Sequence, residues 1–374
     1  MADTKISDSV IYIGADDHDI DLFESQYVVP NGVSYNSYVI IDEKIAVMDT
    51  ADPRVTDVWF NNLEKALDGR KPDYLVVQHM EPDHAGNIKK LAEKYPEMKI
   101  VGNAKTFPMM KQFFTIDGLD DRSVVVKEGD TLSLGSHTLQ FVMAPMVHWP
   151  EVMVTYEQSE KLLFSADGFG KFGALDVEED WACEARRYYF NIVGKYGAQV
   201  QALLKKAAAL DIKMILPLHG PILKEDLGYY LGLYNTWSSY QPESKGVFVA
   251  YASIHGNTAK AAEKLGEMLK EKGAEKVVIS DLSRSDMAEN IEDAFRYDRI
   301  VLMAHLKSKN YQNRKIGLVE NGSWAPTAAR VMKGYVENFK NVTIAEPVVT
   351  IRSTLNEASE KALGELAEVM AKGE

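Results

Sequence analysis

Short apolar runs alternate with polar turns through the first half of the chain. Residues 10–13, 35–41 and 44–48 read as strands, and positions 33–38 alternate apolar and polar side chains. Asp42-Glu43, between two of these runs, predicts a hairpin turn. Residues 55–67 carry helical spacing and lead into Tyr74-Leu75-Val76-Val77, the pattern of a buried strand, after which 88–95 turns helical again. Residues 99–102, 123–126, 131–134 and 138–142 add strands. Meanders mixed with helices predict an αββα sandwich, two mixed sheets with helices outside.

The rhythm changes after the polar stretch 238–245, which holds one proline and reads as a linker. Strand patterns at 246–251, 276–282, 299–304, 315–320 and 342–351 are now separated by helical ones, ending with a closing helix at 355–372. Five strands with intervening helices predict a doubly wound parallel sheet. This α/β chain is therefore expected to hold two domains, 1–244 and 245–374.

Composition narrows the function classes. A net charge of −13 disfavours nucleic acid or an anionic membrane surface as the main partner. Cys183 is the only cysteine, so there is no intrachain disulfide, no thiolate zinc knuckle and no built-in rubredoxin module. Residues 1–4 lack the basic and apolar regions of a signal peptide, and no apolar run approaches membrane-spanning length. The expectation is a soluble cytoplasmic protein.

Candidate chemistry concentrates at the end of the strand pattern 74–77. His79, Glu81, Asp83 and His84 place four metal-type ligands within six positions, more than a structural loop needs. If the extended conformation persists through the motif, His79, Glu81 and Asp83 share one face, with Pro82 helping to end the ladder. His148, Asp167 and His219 each follow an apolar run and sit beside Gly or Pro turns. A lone histidine at a strand end is usually structural, but four of the eight histidines fall in this set. Four imidazoles and three carboxylates can supply two metals, one carboxylate bridging. His18, Tyr27 and Trp149 read as structural. In the second half, Ser253-Ile254-His255-Gly256-Asn257-Thr258 joins a strand pattern to a helix, where backbone N–H groups and the helix dipole favour a phosphate. A helix capped by Asn257 or Ser253 is the alternative.

The pattern His-x-Glu-x-Asp-His at 79–84, followed by His148, Asp167 and His219, resembles the metallo-β-lactamase fold. Glu81 stands where zinc hydrolases of that fold generally carry a second histidine, and this substitution resembles the flavodiiron proteins. Harder oxygen ligands shift a site toward iron. The resemblance implies one iron on His79, Glu81 and His148, the other on Asp83, His84 and His219, with Asp167 bridging. It further implies a flavodoxin-like second half that binds FMN through Ser253, Ile254, His255, Gly256, Asn257 and Thr258. The loop Asn321, Gly322, Ser323, Trp324 and Ala325 would lie against the flavin ring.

One departure from the family stands out. A longer loop of Ser-Pro-Thr-Tyr type and the start of a helix usually follow the third strand of the second half. Here only residues 305–314 separate two strand patterns, fewer than the dozen or more of a parallel crossover. The resemblance implies reduction of dioxygen to water or of nitric oxide to nitrous oxide. It also implies a separate electron donor such as rubredoxin or a reductase, and a head-to-tail homodimer or dimer of dimers. Two alternatives remain: a diiron oxygen-binding or sensing protein without a working flavin, and a hydrolase of the metallo-β-lactamase fold. Glu81 and the second half argue against the hydrolase.

Overall fold

The computed structural model describes residues 4–301, 310–321, 326–351 and 355–372. They form two compact units, one of residues 1–189 with 198–234, the other of 190–197 with 235–374.

The first unit is built on two mixed sheets. One runs in the order Val10–Tyr12, Tyr38–Ile40, Ala46–Met48, Tyr74–Val76, Lys99–Asn103, Ser123–Val126. The other runs Thr131–Ser133, Thr138–Met143, Met153–Glu157, Leu162–Phe164, Met214–Leu216. Their inner faces share one core: Tyr38, Ile40, Met48, Val76 and Val101 from the first meet Leu139, Phe141, Met153, Phe164 and Leu216 from the second. Each such side chain taken from water contributes about 1.5–3 kcal/mol, which is what holds the layers together. The helix Thr56–Leu67 buries Trp59, Leu63 and Leu67, a stripe at four-residue spacing. The αββα expectation therefore holds, and the hairpin at Asp42-Glu43 pairs Tyr38–Ile40 with Ala46–Met48.

The second unit carries five strands in the order Val277–Asp281, Ser244–Tyr251, Tyr297–Val301, Gln312–Asn321, Lys340–Ile351. All four pairings are parallel. In chain order this is 2-1-3-4-5, a doubly wound, flavodoxin-like sheet. The helices Asn257–Glu271 and Glu357–Ala371 bury Ala261, Leu265, Leu363 and Leu366 against Val247, Val249, Val301 and Val349. Gly266 allows the close approach, since a methyl there would sit 2.4 Å from Cδ1 of Ile279. The expected linker is shorter than its composition suggests, because Leu227–Ser238 is helical and the strand begins at Ser244. The helices Trp181–Tyr188 and Gly197–Ala207 also stand where no strand or helix was expected.

The short crossover bears on the family departure. Tyr297–Val301 and Gln312–Asn321 pair in parallel, Arg299 opposite Lys315, although only residues 302–311 join them. Of these, 302–309 lie outside the described residues. Tyr311 is buried, and the buried guanidinium of Arg314 donates to the carbonyls of Phe295, Tyr297 and Tyr240, fixing the start of the strand.

Candidate metal centre

The ligand turn grows out of the strand Tyr74–Val76. Buried Asp49, at the end of the neighbouring strand, accepts from Gln78 N and Gln78 Nε2 at 2.8 Å and from His79 N at 3.2 Å. The strand ends at Val76, Glu81 is extended (φ −61°, ψ 139°), and Pro82–Ala85 then closes a helical turn. The expectation that Asp83 shares a face with His79 and Glu81 is thus corrected. Proline is favoured at the first helical position. The helical turn ends the alternation, sending Asp83 and His84 toward a second position. Thr50 Oγ1 holds the His84 carbonyl at 2.5 Å.

The seven ligand-type residues converge as two sets, His79, Glu81, His148 and Asp167 in one, Asp83, His84 and His219 in the other. Around the first position, Nε2 of His79 and of His148 lie 3.1 and 3.0 Å from Glu81 Oε2, and each lies 3.2 Å from Asp167 Oδ2. Around the second, Nε2 of His84 and of His219 lie 3.3 and 3.2 Å from Asp83 Oδ2 and 3.1 Å from each other. The remaining oxygen of Asp167, Oδ1, lies 3.2 Å from His84 Nε2 and 3.9 Å from His219 Nε2. The two oxygens of one carboxylate therefore address different sets.

The spacing suits ions. A metal about 2.1 Å from each ligand atom sets octahedral neighbours about 3.0 Å apart and tetrahedral ones about 3.4 Å apart. Hydrogen bonding points the same way. His79 Nδ1 can only donate to Glu151 Oε1 (2.9 Å), and His219 Nδ1 only to the Ser34 carbonyl (2.7 Å). A neutral imidazole then turns its Nε2 lone pair inward, so His79 faces Glu81 and Asp167 with a lone pair, and His219 faces Asp83 and His84 Nε2 with one. His84 and His219, Nε2 to Nε2, can share at most one proton. Within the described residues, His148 Nε2, Asp83 Oδ1 and both Asp167 oxygens make no hydrogen bond though buried. Buried polar atoms left this way are costly unless a cation joins them.

The electrostatics agree. Burial works against charging His148, yet Asp167 and Glu81 push its pKa up to about 9. Burial would raise Asp167, but His79, His148 and His84 hold it well below the usual carboxylate range. Protons and metals compete for such a site. A cavity of about 250 Å³ lined by Phe23, Glu24, Tyr35, Arg54 and others opens onto Glu81 and Asp83. Burial and the charge of Glu81 raise Glu24 to about 8.

In the second unit the loop after Ser244–Tyr251 leads into a helix start without a side-chain cap. Gly256 sits in the left-handed region (φ 82°) immediately before Asn257–Glu271, and no side chain caps that helix. Asn257 lies inside the helix, and Ser253 Oγ accepts from Gly256 N at 3.1 Å, ahead of the first free N–H groups. The capping alternative therefore fails, and the helix start is left open to an anion. Ile254 and His255 are exposed, and Asn321 Nδ2 reaches Thr258 Oγ1 at 3.4 Å. Gly322, Ser323, Trp324 and Ala325 lie outside the described residues.

Sequence reasoning missed several supporting groups. Asp49 follows the apolar run 45–48 as Asp167 follows its own, the same signal. Glu151 stands three residues after His148. Asn36 donates to the carbonyls of Pro217 and Gly220 at 2.8 and 2.7 Å, and Ser34 Oγ accepts from Gly220 N, so one strand holds the His219 turn. Of the residues read as structural, Trp149 packs edge-on to His79 (5.3 Å) and His18 pairs with Asp176.

Comparison with known proteins follows the same lines. A family model described as ODP family beta lactamase matches residues 33–220. The nitric oxide reductase of Moorella thermoacetica is 31% identical over 382 residues, 93% of this chain and 92% of that one. Among solved structures, the rubredoxin oxygen:oxidoreductase of Desulfovibrio gigas superposes with a TM-score of 0.88 at 25% identity, covering 99% of this chain and 98% of that one. The flavodiiron protein of Giardia intestinalis shares the fold, with a TM-score of 0.86 at 23% identity over 100% of this chain and 96% of its own. A β-lactamase-type ligand turn with glutamate at its second position, ahead of a doubly wound parallel sheet, places the chain in the flavodiiron family.

Proposed function

We propose that the chain is a flavodiiron oxidoreductase that reduces dioxygen to water, nitric oxide to nitrous oxide, or both. The observation that carries this reading is Asp167, whose two oxygens face separate sets of ligands, each completed by histidines and one further carboxylate. His79, Glu81 and His148 would hold one iron, Asp83, His84 and His219 the other, with Asp167 between. Two ferrous ions so held would bind a diatomic gas and supply electrons to it. The residues of this chain shape the surroundings. Phe23, Tyr35 and Tyr188 pack their rings around His219 and keep bulk water from that side. The cavity at Glu81 and Asp83 has ample room for a diatomic molecule.

The open helix start at Asn257, with Ser253 and Gly256 before it, would hold the phosphate of FMN, which would pass electrons to the metals. Residues 1–244 would thus form the diiron domain and 245–374 the flavin domain. Family likeness supports a head-to-tail homodimer, which sets the flavin of one copy beside the metals of the other, and a separate electron donor.

Metal analysis and an optical spectrum of the purified protein test the reading. Two irons and one flavin per chain are expected, with consumption of dioxygen or nitric oxide when electrons are supplied. Zinc without flavin would instead indicate a hydrolase, and iron without flavin an oxygen-binding protein.

A further inference from the structure

Three of the ligand imidazoles, His79, His219 and His84, differ in what stands behind them. His79 Nδ1 donates to a carboxylate, Glu151 Oε1, at 2.9 Å, with both side chains fully buried. His219 Nδ1 donates to a neutral backbone carbonyl, that of Ser34. Nδ1 of His84 is buried without a hydrogen bond to any described residue. Among the described residues, Glu151 is the one carboxylate bonded behind a ligand imidazole. The others near these histidines, Glu81, Asp83 and Asp167, all face Nε2. Asp49, also buried, accepts from Gln78 and from the backbone of His79.

Glu151 also braces the backbone. Its Oε1 accepts from Met80 N at 2.8 Å, which ties the loop of His79 and Glu81 to the loop of His148. Its own carbonyl accepts from Asn103 Nδ2. Oε2 makes no hydrogen bond, so the side chain acts through Oε1 alone, on His79 Nδ1 and Met80 N. A carboxylate behind an imidazole fixes the tautomer and raises the basicity of the inward nitrogen.

We propose that Glu151 makes the two metal positions unequal. The position formed by His79, Glu81, His148 and Asp167 fills first and holds its ion more tightly than the position at Asp83, His84 and His219. The inference rests on the two-metal reading above and adds an order of filling to it.

Titration of the metal-free protein with cobalt(II), followed by its visible absorption and by heat, reads that order. Wild type should show a tight step and a weaker one. Glu151→Gln keeps an acceptor oxygen but removes the charge, so the tight step should weaken roughly 10- to 100-fold while the weak step stays, and the two merge. His219→Ala should lose the weak step and keep the tight one. If Glu151→Gln titrates as wild type, or loses equally at both steps, the proposal is overturned and the two-metal reading survives. A folded wild type that takes no cobalt overturns both. Should Glu151→Gln fail to fold, the single-position variants decide. A tight step surviving in His219→Ala but lost in His148→Ala supports the order, and the reverse overturns it.

Discussion

Glu81 is where metal identity turns. Its carboxylate faces both His79 and His148, and those two imidazoles hold its pKa below the usual range despite burial. Glu81→His replaces a hard oxygen with a nitrogen and should lower the iron-to-zinc ratio after growth with both metals. An unchanged ratio would show that selection lies elsewhere. A histidine outside both ligand sets bears on stability. His137 is clamped between Asp42 (2.8 Å) and Glu160 (3.1 Å), with Glu157 nearby. Burial opposes its charge, but these carboxylates raise its pKa above the unfolded value of about 6.5. Its stabilisation is therefore complete below about pH 6.5 and is lost as pH rises through the folded value. Denaturant melts from pH 6 to 9 should show this decline in wild type and a flatter profile in His137→Gln. The same slope in both would remove His137 as its source.

The strand Val33–Tyr35 and the residues after it show how an element positions a site it does not belong to. Positions 33–38 mix apolar and polar side chains, yet all six are buried. Three of them serve the His219 turn: Ser34 Oγ accepts from Gly220 N, Asn36 donates to the carbonyls of Pro217 and Gly220, and Tyr38 Oη donates to that of Pro217, while the Ser34 carbonyl accepts from the His219 ring. Ser37 instead donates to the carbonyls of Met48 and Asp49. Asn36→Ala would leave the buried Gly220 carbonyl without its donor, while the Pro217 carbonyl keeps Tyr38 Oη, and should cost about 1–3 kcal/mol of stability. It should also deplete the metal at the His219 position before the other, measured as metal per chain. Loss of both ions together would mean that the turn holds the whole centre. Strand existence and the ligand residues were legible because apolar runs ending in His, Asp or Gly carry a local signal. The support at Asn36, Glu151 and Asp49 was not, because its partners lie far along the chain: Asn36 bonds residues more than 180 positions away. The bend at Pro82–Ala85 was hidden for another reason. Strand alternation and a helical turn compete within four residues, and only tertiary packing decides between them.

At the scale of the whole molecule, the reading requires electrons to pass between sites built on two separately packed units. If the flavin of one chain serves the metals of its partner, subunits with different defects should complement each other. His79→Ala removes a ligand at the first metal position but leaves the loop at Gly256 intact. Changing Asn257 and Thr258 to alanine strips polar side chains from the start of the helix Asn257–Glu271 and leaves the metal centre intact. Each variant alone should be nearly inactive, the first low in iron and the second low in flavin. Co-refolded or co-expressed in equal amounts, half of the dimers are mixed and each has one working pair, so about a quarter of wild-type turnover should return. Tagging the two variants differently and purifying on both tags isolates the mixed dimer, which should show about half. A mixed dimer that forms, holds iron and flavin, and stays inactive would place the electron path within a single chain.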